Sequence, residues 1–171
     1  MSKNIIVSNR LPVQAESKDG EWFFTPTSGG LATGLKSFHS EGKSLWVGWP
    51  GISSDSLDKK SKRQINEDLL DKQFCPVFLN EKELDDFYFG FSNKCLWPLF
   101  HYFIEIHKFD LIQWQSYIEV NQKFADEVLK VVKDGDKVWI HDYQLLLCPQ
   151  MVKDINPVSY THLTLPTRYR V

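Results

Sequence analysis

Asn4-Ile5-Ile6-Val7-Ser8-Asn9-Arg10 is the stretch on which the fold turns. Ile5, Ile6 and Val7 form a continuous β-branched run with no polar alternation. Such a run fits a strand covered on both faces, as in a parallel sheet, and Ser8-Asn9-Arg10 then forms a polar loop at its C-terminal end. Val138-Trp139-Ile140, running into His141-Asp142-Tyr143, repeats the pattern near the far end of the chain. Leu45 to Trp49, stopped by Pro50-Gly51, and Phe74 to Leu79 supply two further strands. Helical spacings separate them. Strands alternating with helices predict an α/β domain built on a Rossmann-like, doubly wound, mainly parallel sheet.

The segments between the strands are legible in outline. Lys18-Asp19-Gly20, inside Gln14 to Phe24, predicts a hairpin turn. Leu31, Leu35 and Phe38 suit a helix starting just after Ser28-Gly29-Gly30. Ile65 and Leu69 are the apolar side of a charged helix whose Lys59-Lys60-Ser61-Lys62-Arg63 run reads as a solvated face. Asn80 with Glu83 resembles a capping pair opening a short helix. A long helix is expected from about Leu111 to Val132, with Trp114, Tyr117, Ile118, Phe124, Val128 and Val131 as its buried stripe and Gly135 at its end.

Bulk properties exclude several classes. The 171 residues can build one real core, and 42% hydrophobic with 25% charged residues is globular composition. A net charge of -2 provides no broad field for nucleic acid or anionic membrane, so any phosphate must be held by a local site. Three cysteines without a C-x-x-C spacing argue against a disulfide framework or zinc site and fit a reducing cytoplasm. No apolar run reaches membrane-spanning length, and the start Met1-Ser2-Lys3-Asn4 running into the first strand leads us to expect no signal peptide. The 14% aromatic content, with six Trp, suits either a packed core or a sugar site, where ring faces stack on C–H groups.

In a doubly wound sheet, ligands bind beyond the C-terminal strand ends. Three polar clusters are placed there: Ser8-Asn9-Arg10, the Gly29-Gly30 loop, and His141-Asp142. Backbone N–H groups at a glycine pair opening a helix suit a phosphate or pyrophosphate, although a plain tight turn explains the same pair. The absence of G-x-G-x-x-G and G-x-x-x-x-G-K-[ST] removes support for dehydrogenase and P-loop chemistry. Arg10 fits a bidentate phosphate contact or a surface salt bridge. Asp142 fits a reacting-centre role or a helix N-cap, and no second histidine stands at metal-binding spacing.

Taken together, Ile5 to Pro12, Ser28 to Leu35, Trp46-Val47-Gly48-Trp49-Pro50-Gly51, the string from Phe87 through Tyr102, and Trp139 to Leu146 resemble, in order, the motifs of glycosyltransferase family 20. The resemblance covers roughly residues 4 to 157. It implies a GT-B fold of two Rossmann-like domains facing a cleft, of which this chain resembles an incomplete N-terminal, acceptor-side domain. It also implies retaining transfer of glucose from UDP-glucose to glucose 6-phosphate, giving α,α-trehalose 6-phosphate and UDP, with no metal, no cofactor and no protein nucleophile. On that resemblance Arg10 would contact the acceptor phosphate. Gly29 and Gly30 would approach the donor phosphate or reacting centre. Trp49, Tyr88 and Trp97 would shape the acceptor pocket, with the Tyr88 hydroxyl on the phosphate. Asp142 would hydrogen-bond acceptor hydroxyls, so that Asp142 and Gly30 stand nearest the chemistry. Trp46, Trp139 and Phe100 are expected in the core. A non-catalytic sugar-phosphate-binding module, and a related transferase with another acceptor such as glucosylglycerol-phosphate synthase, are the rival readings.

Beyond Pro157 the resemblance lapses. Residues 158–171 lack the expected strand and His-containing loop, and their expected place is outside the fold as a non-native tail. The basic and acidic donor-side residues implied by the resemblance belong to a further, C-terminal domain. The chain alone is therefore expected to be inactive, with that domain as its partner.

Overall fold

A computed structural model of the chain describes residues 2–27, 34–35, 39, 44–156 and 160–164. Strand β1 (Asn4–Arg10) leads into a hairpin of β2 (Val13–Lys18) and β3 (Glu21–Pro26). Then come β4 (Ser44–Trp49), helix α1 (Lys59–Leu70) and β5 (Phe74–Pro76). A helical stretch follows, π-helical over Leu84–Leu96 and flanked by short α-helical turns at Glu81–Glu83 and Trp97–Phe100. Helix α2 (Leu111–Val131), β6 (Lys137–His141), α3 (Cys148–Ile155) and β7 (Tyr160–Thr164) complete the chain.

The main sheet has the order β5-β4-β1-β6-β7, and every neighbouring pair is parallel. This is the doubly wound arrangement expected. The central strand β1 alternates between two cores. Ile5 and Val7 join Val47, Val138 and Ile140 under α2, α3 and the π-helix. Ile6 joins Trp46, Ile65, Leu69 and Phe74 on the opposite face, under α1. Helices on both sides explain why the β1 run contains no polar break.

Local chemistry sets the boundaries. The hairpin turn places Asp19 at φ 53° and Gly20 at φ 83°, the pair of positive values that a tight two-residue turn requires. Asp58 caps α1 through Ser61 N–H at 2.7 Å. Asn80 and Glu83 form the reciprocal capping box, with Asn80 Oδ1 accepting at 2.7 Å and Glu83 Oε2 accepting at 3.0 Å. Strand β5 covers only Phe74–Pro76 of the expected 74–79, although Val77 N–H still donates to the Gly48 carbonyl at 2.8 Å. Helix α2 stops at Val131. Gly135, at φ 85°, belongs to the turn before β6 and not to the helix end.

Three expectations need correction. Of the residues expected in the core, Trp139 is only half-buried and Phe100 is 48% exposed, since it closes a single α-helical turn. Trp114, Ile118 and Val131 are only half-buried, and the deep positions of α2 include Ser116 and Asn121. The boundary drawn at 157 does not coincide with the end of the sheet. Tyr160–Thr164 pairs in parallel with β6, and Leu163 packs against the larger core. Main-chain pairing explains this, since an edge strand offers its N–H and C=O groups to any extended segment. Residues 165–171, including Leu165, lie outside the described residues. The three cysteines are buried and unbridged. Among the described residues no helix is long and apolar enough to cross a membrane.

Candidate functional site

The C-terminal ends of β4, β1 and β6 lie side by side in the sheet, and they carry Trp49, Arg10 and Asp142. Arg10 and Trp49 are register partners, with the Arg10 guanidinium 4.9 Å from the centre of the Trp49 ring. The guanidinium is exposed and donates one 3.3 Å bond to Gln14 Oε1. Among the described residues no carboxylate pairs with it, so the salt-bridge alternative has no partner there.

The Arg10 backbone is held by a chain of hydrogen bonds from the core. The Trp46 indole N–H donates to Ser8 Oγ at 2.7 Å, and that hydroxyl donates to the Arg10 carbonyl at 2.7 Å. Gly48 makes room for the same loop, since a Cβ there would stand 2.8 Å from Leu11 N and 3.0 Å from Ser8 O. Trp49 is fixed in turn by its indole N–H on the Ile52 carbonyl at 2.9 Å.

Asp142 lies in a region of backbone space that essentially only glycine occupies, at φ 76° and ψ 166°. Its Oδ1 accepts from Tyr143 N–H at 2.8 Å, so it does cap the following turn. Burial raises its pKa, and the Tyr143 N–H opposes the shift. A strained, half-buried carboxylate at a strand end in an α/β sheet is a candidate functional position.

The turn after Asp142 is anchored from α2. Tyr117 Oη donates to the Tyr143 carbonyl at 2.7 Å and accepts from Leu146 N–H at 3.1 Å. Asn121 is fully buried and makes four bonds: Nδ2 to the carbonyls of Tyr117 (2.9 Å) and Gln144 (3.1 Å), and Oδ1 from the N–H groups of Leu147 (3.2 Å) and Cys148 (3.1 Å). No side chain of its own caps α3, so Asn121 caps it from another helix. Tyr117 and Phe124 are the apolar positions that the spacing identified. Asn121, a polar residue in the middle of that stripe, was the sequence signal for this anchor, and it was not singled out.

The π-helix carries Tyr88 and leads into Trp97, and it meets the turn after β6 through Asn93 and Tyr143. Tyr88 is half-buried against the larger core. Trp97 is 37% exposed and stacks on the His101 ring at 4.1 Å. Asn93 Oδ1 accepts from the Tyr143 hydroxyl at 3.1 Å. Burial and the neighbouring Asp142 and Tyr88 push that hydroxyl up to about 12, so it stays protonated at neutral pH. Asn93 and Tyr143 were quoted in the sequence motifs without a role, since nothing in their spacing distinguishes them from neighbouring core residues. Gly29 and Gly30 lie outside the described residues. Among the described residues no group of His, Cys, Asp and Glu side chains is arranged to hold a metal ion.

A cation stacked on an indole, a strained carboxylate and a patch of aromatic and amide groups together suit a ligand with an anionic group and a hydroxylated apolar ring. Known proteins point the same way. The chain is 43% identical over 155 residues to a UDP-forming α,α-trehalose-phosphate synthase of Botryotinia fuckeliana, covering 90% of this chain and 29% of the relative. It is 40% identical over 156 residues to the corresponding synthase of Yarrowia lipolytica, covering 90% and 33%. A crystal structure of such a synthase from Burkholderia xenovorans, in complex with glucose-6-phosphate, superposes with a TM-score of 0.71 at 27% identity. It covers 96% of this chain and 33% of that one. The chain thus spans about a third of the length of the relatives it matches. The model of glycosyltransferase family 20 matches residues 2–165, β7 included, and with the parallel sheet and the motifs at its edge this places the chain in glycosyltransferase family 20.

Proposed function

We propose that the chain forms the acceptor-side wall of a retaining, UDP-forming α,α-trehalose-phosphate synthase, which transfers glucose from UDP-glucose to glucose 6-phosphate in the cytoplasm without a metal or cofactor. The observation that carries this reading is Arg10 at the end of the central strand. It is exposed, stacked on Trp49 and without a carboxylate partner among the described residues. That is a preformed seat for a phosphate dianion.

Each residue then has a task. Arg10 neutralises the 6-phosphate, and the Tyr88 hydroxyl adds a neutral donor. Trp49 and Trp97 offer ring faces to the sugar. Asp142, held by β6 and the Tyr143 N–H, accepts from an acceptor hydroxyl and orients the attacking oxygen beside the donor. The Gly29-Gly30 loop would meet the donor side. Neutralisation of the departing pyrophosphate falls to residues of the relatives' length that this chain does not span. Removing even one preorganised charge contact costs about 3–4 kcal/mol of transition-state stabilisation, so the 171-residue chain alone turns over below detection.

The test has two arms, coupled UDP release and titration with glucose 6-phosphate read by tryptophan fluorescence. Saturable binding without UDP release is expected. Arg10→Ala should weaken binding by about 1.5–3 kcal/mol, the worth of a charge-assisted hydrogen bond. Unchanged affinity in Arg10→Ala removes Arg10 from the site, and UDP release dependent on glucose 6-phosphate refutes the claim that the chain alone is inactive.

A further inference from the structure

The winding of the π-helix decides which of its side chains face the site. Tyr88 and Trp97 stand nine positions apart. At 3.6 residues per turn that is about two and a half turns of an α-helix, which would put them on opposite sides. Here the N–H of Trp97 donates to the carbonyl of Ser92, five residues back. With that wider turn, neighbours along a face come four and five positions apart. Tyr88, Asn93 and Trp97 follow that interval and share a face. On the other side Phe87, Gly90, Phe91, Ser92 and Cys95 are buried, while Phe89 and Lys94 are exposed.

Asn93 therefore lies between the two aromatic residues assigned to the acceptor pocket. Its carboxamide is oriented by Tyr143, the residue after Asp142. The Tyr143 hydroxyl keeps its proton and donates it to Asn93 Oδ1 at 3.1 Å, which turns the amide NH2 the other way. That NH2 donates to no described residue, and the side chain is only half-buried. A hydrogen-bond donor held in one orientation, on a helix face shared with two aromatic side chains, suits the hydroxyl of a sugar ring.

We propose that Asn93 is a binding residue of this site, its amide donating to a ring hydroxyl of the hexose phosphate while Tyr143 holds its orientation. The assignment rests on reading the site as the acceptor site. It explains why a long π-helix is maintained there: an α-helical register would turn Trp97 away from Tyr88 and Asn93.

The experiment titrates the 171-residue chain and its Arg10→Ala, Asn93→Ala and Asn93→Asp variants with glucose 6-phosphate and, separately, inorganic phosphate. Binding is read by tryptophan fluorescence, and folding is checked by near-ultraviolet circular dichroism. Arg10→Ala should weaken both ligands. Asn93→Ala should weaken glucose 6-phosphate roughly five- to tenfold and leave phosphate within about twofold, since one neutral hydrogen bond to the ring is lost. Asn93→Asp keeps an acceptor for Tyr143 but replaces the donor with a charge, and should weaken glucose 6-phosphate further. It decides the matter if Asn93→Ala fails to fold. If Arg10→Ala weakens binding while both Asn93 variants bind like the unsubstituted chain, the Asn93 assignment is overturned and the acceptor reading stands. Equal losses for both ligands in Asn93→Ala overturn the ring-hydroxyl contact. No saturable binding by the unsubstituted chain, or no effect of Arg10→Ala, overturns the acceptor reading and Asn93 with it.

Discussion

Replacing Asn121 by Ala should destabilise the fold more than any truncation of an apolar residue of similar size. The side chain has no exposed surface, and both ends of its carboxamide are used. On truncation the Tyr117 carbonyl keeps its helical N–H partner, so its loss is small. The Gln144 carbonyl and the N–H groups of Leu147 and Cys148 lose theirs. Each orphaned buried group costs about 1–3 kcal/mol, less for the partly buried Leu147, and losing a helix cap is worth about 1 kcal/mol on its own. Even the lower ends sum to about 3–4 kcal/mol, a large share of the 5–15 kcal/mol typical of a domain. Urea unfolding followed by circular dichroism gives the difference from the midpoint shift at constant slope. Asn121→Asp separates the two ends of the amide, because it keeps the two accepting bonds and loses the two donating ones. Burial would raise the folded pKa of that carboxyl above its unfolded value, so the penalty should grow as pH rises above about 4. A loss below about 1 kcal/mol in Asn121→Ala would mean that the turn after β6 holds itself, and that the anchoring role given to α2 is wrong.

Three further outcomes follow from the same geometry. Gly48→Ala should cost about 1–3 kcal/mol and weaken glucose 6-phosphate binding, because its Cβ would press on backbone atoms of Leu11, Arg10 and Ser8 that cannot rotate away; unchanged unfolding and affinity would show that the loop gives freely. Asp142→Gly should relieve about 1–3 kcal/mol of backbone strain, offset in part by the lost bond to Tyr143 N–H, so the melting temperature should hold or rise while ligand affinity falls; a clear drop in melting temperature would show that Asp142 serves the fold rather than the ligand. His141 is held down to about 4 by burial and, secondarily, by His162, so the unfolded chain takes up a proton near 6.5 before the folded one does; stability contributed by neutral His141 is complete above about 6.5 and lost towards 4, by at most about 3 kcal/mol, and His141→Phe should flatten that slope while leaving the opposing effect of Asp142.

The parts of the fold legible in the sequence are those in which one residue type has one physical use. Ile5-Ile6-Val7 has no polar position, so it predicts a strand covered on both sides, and the structure places it at the centre of the sheet. Asp19-Gly20 and the Asn80/Glu83 pair likewise carry their local geometry in their chemistry. The aromatic string from Phe87 to Phe103 was not legible in this way. Its hydrophobic residues follow neither the helical nor the strand interval, because the winding there is neither. Phe100, expected in the core, comes to the surface in the short α-helical turn that follows this stretch. Leu163 fails in the other direction. Its segment carries none of the motifs quoted from the sequence, yet it pairs with the edge of β6 through the backbone and lies within the residues that the family's model matches.

The candidate site combines these two kinds of specification. Arg10, Trp49 and Asp142 are placed by strand ends, so the sheet register fixes their spacing, and the sequence shows them as polar or glycine-flanked breaks after apolar runs. Tyr88, Asn93 and Trp97 are placed by a helical winding that the sequence does not announce, and they join the sheet edge through Asn93 and Tyr143. The two halves meet at the turn after β6, which Tyr117 and Asn121 hold from the far side of the core. A change in the interior of α2 should therefore reach the ligand without touching it. The effect should fall on the Asp142–Tyr143–Asn93 half of the site and spare the Arg10–Trp49 half, whose support comes from Ser8 and Trp46 on β1 and β4 themselves. In binding terms, loosening α2 should cost affinity for the sugar ring more than for phosphate alone. That ratio distinguishes a site built from two separately supported walls from one that folds as a single unit.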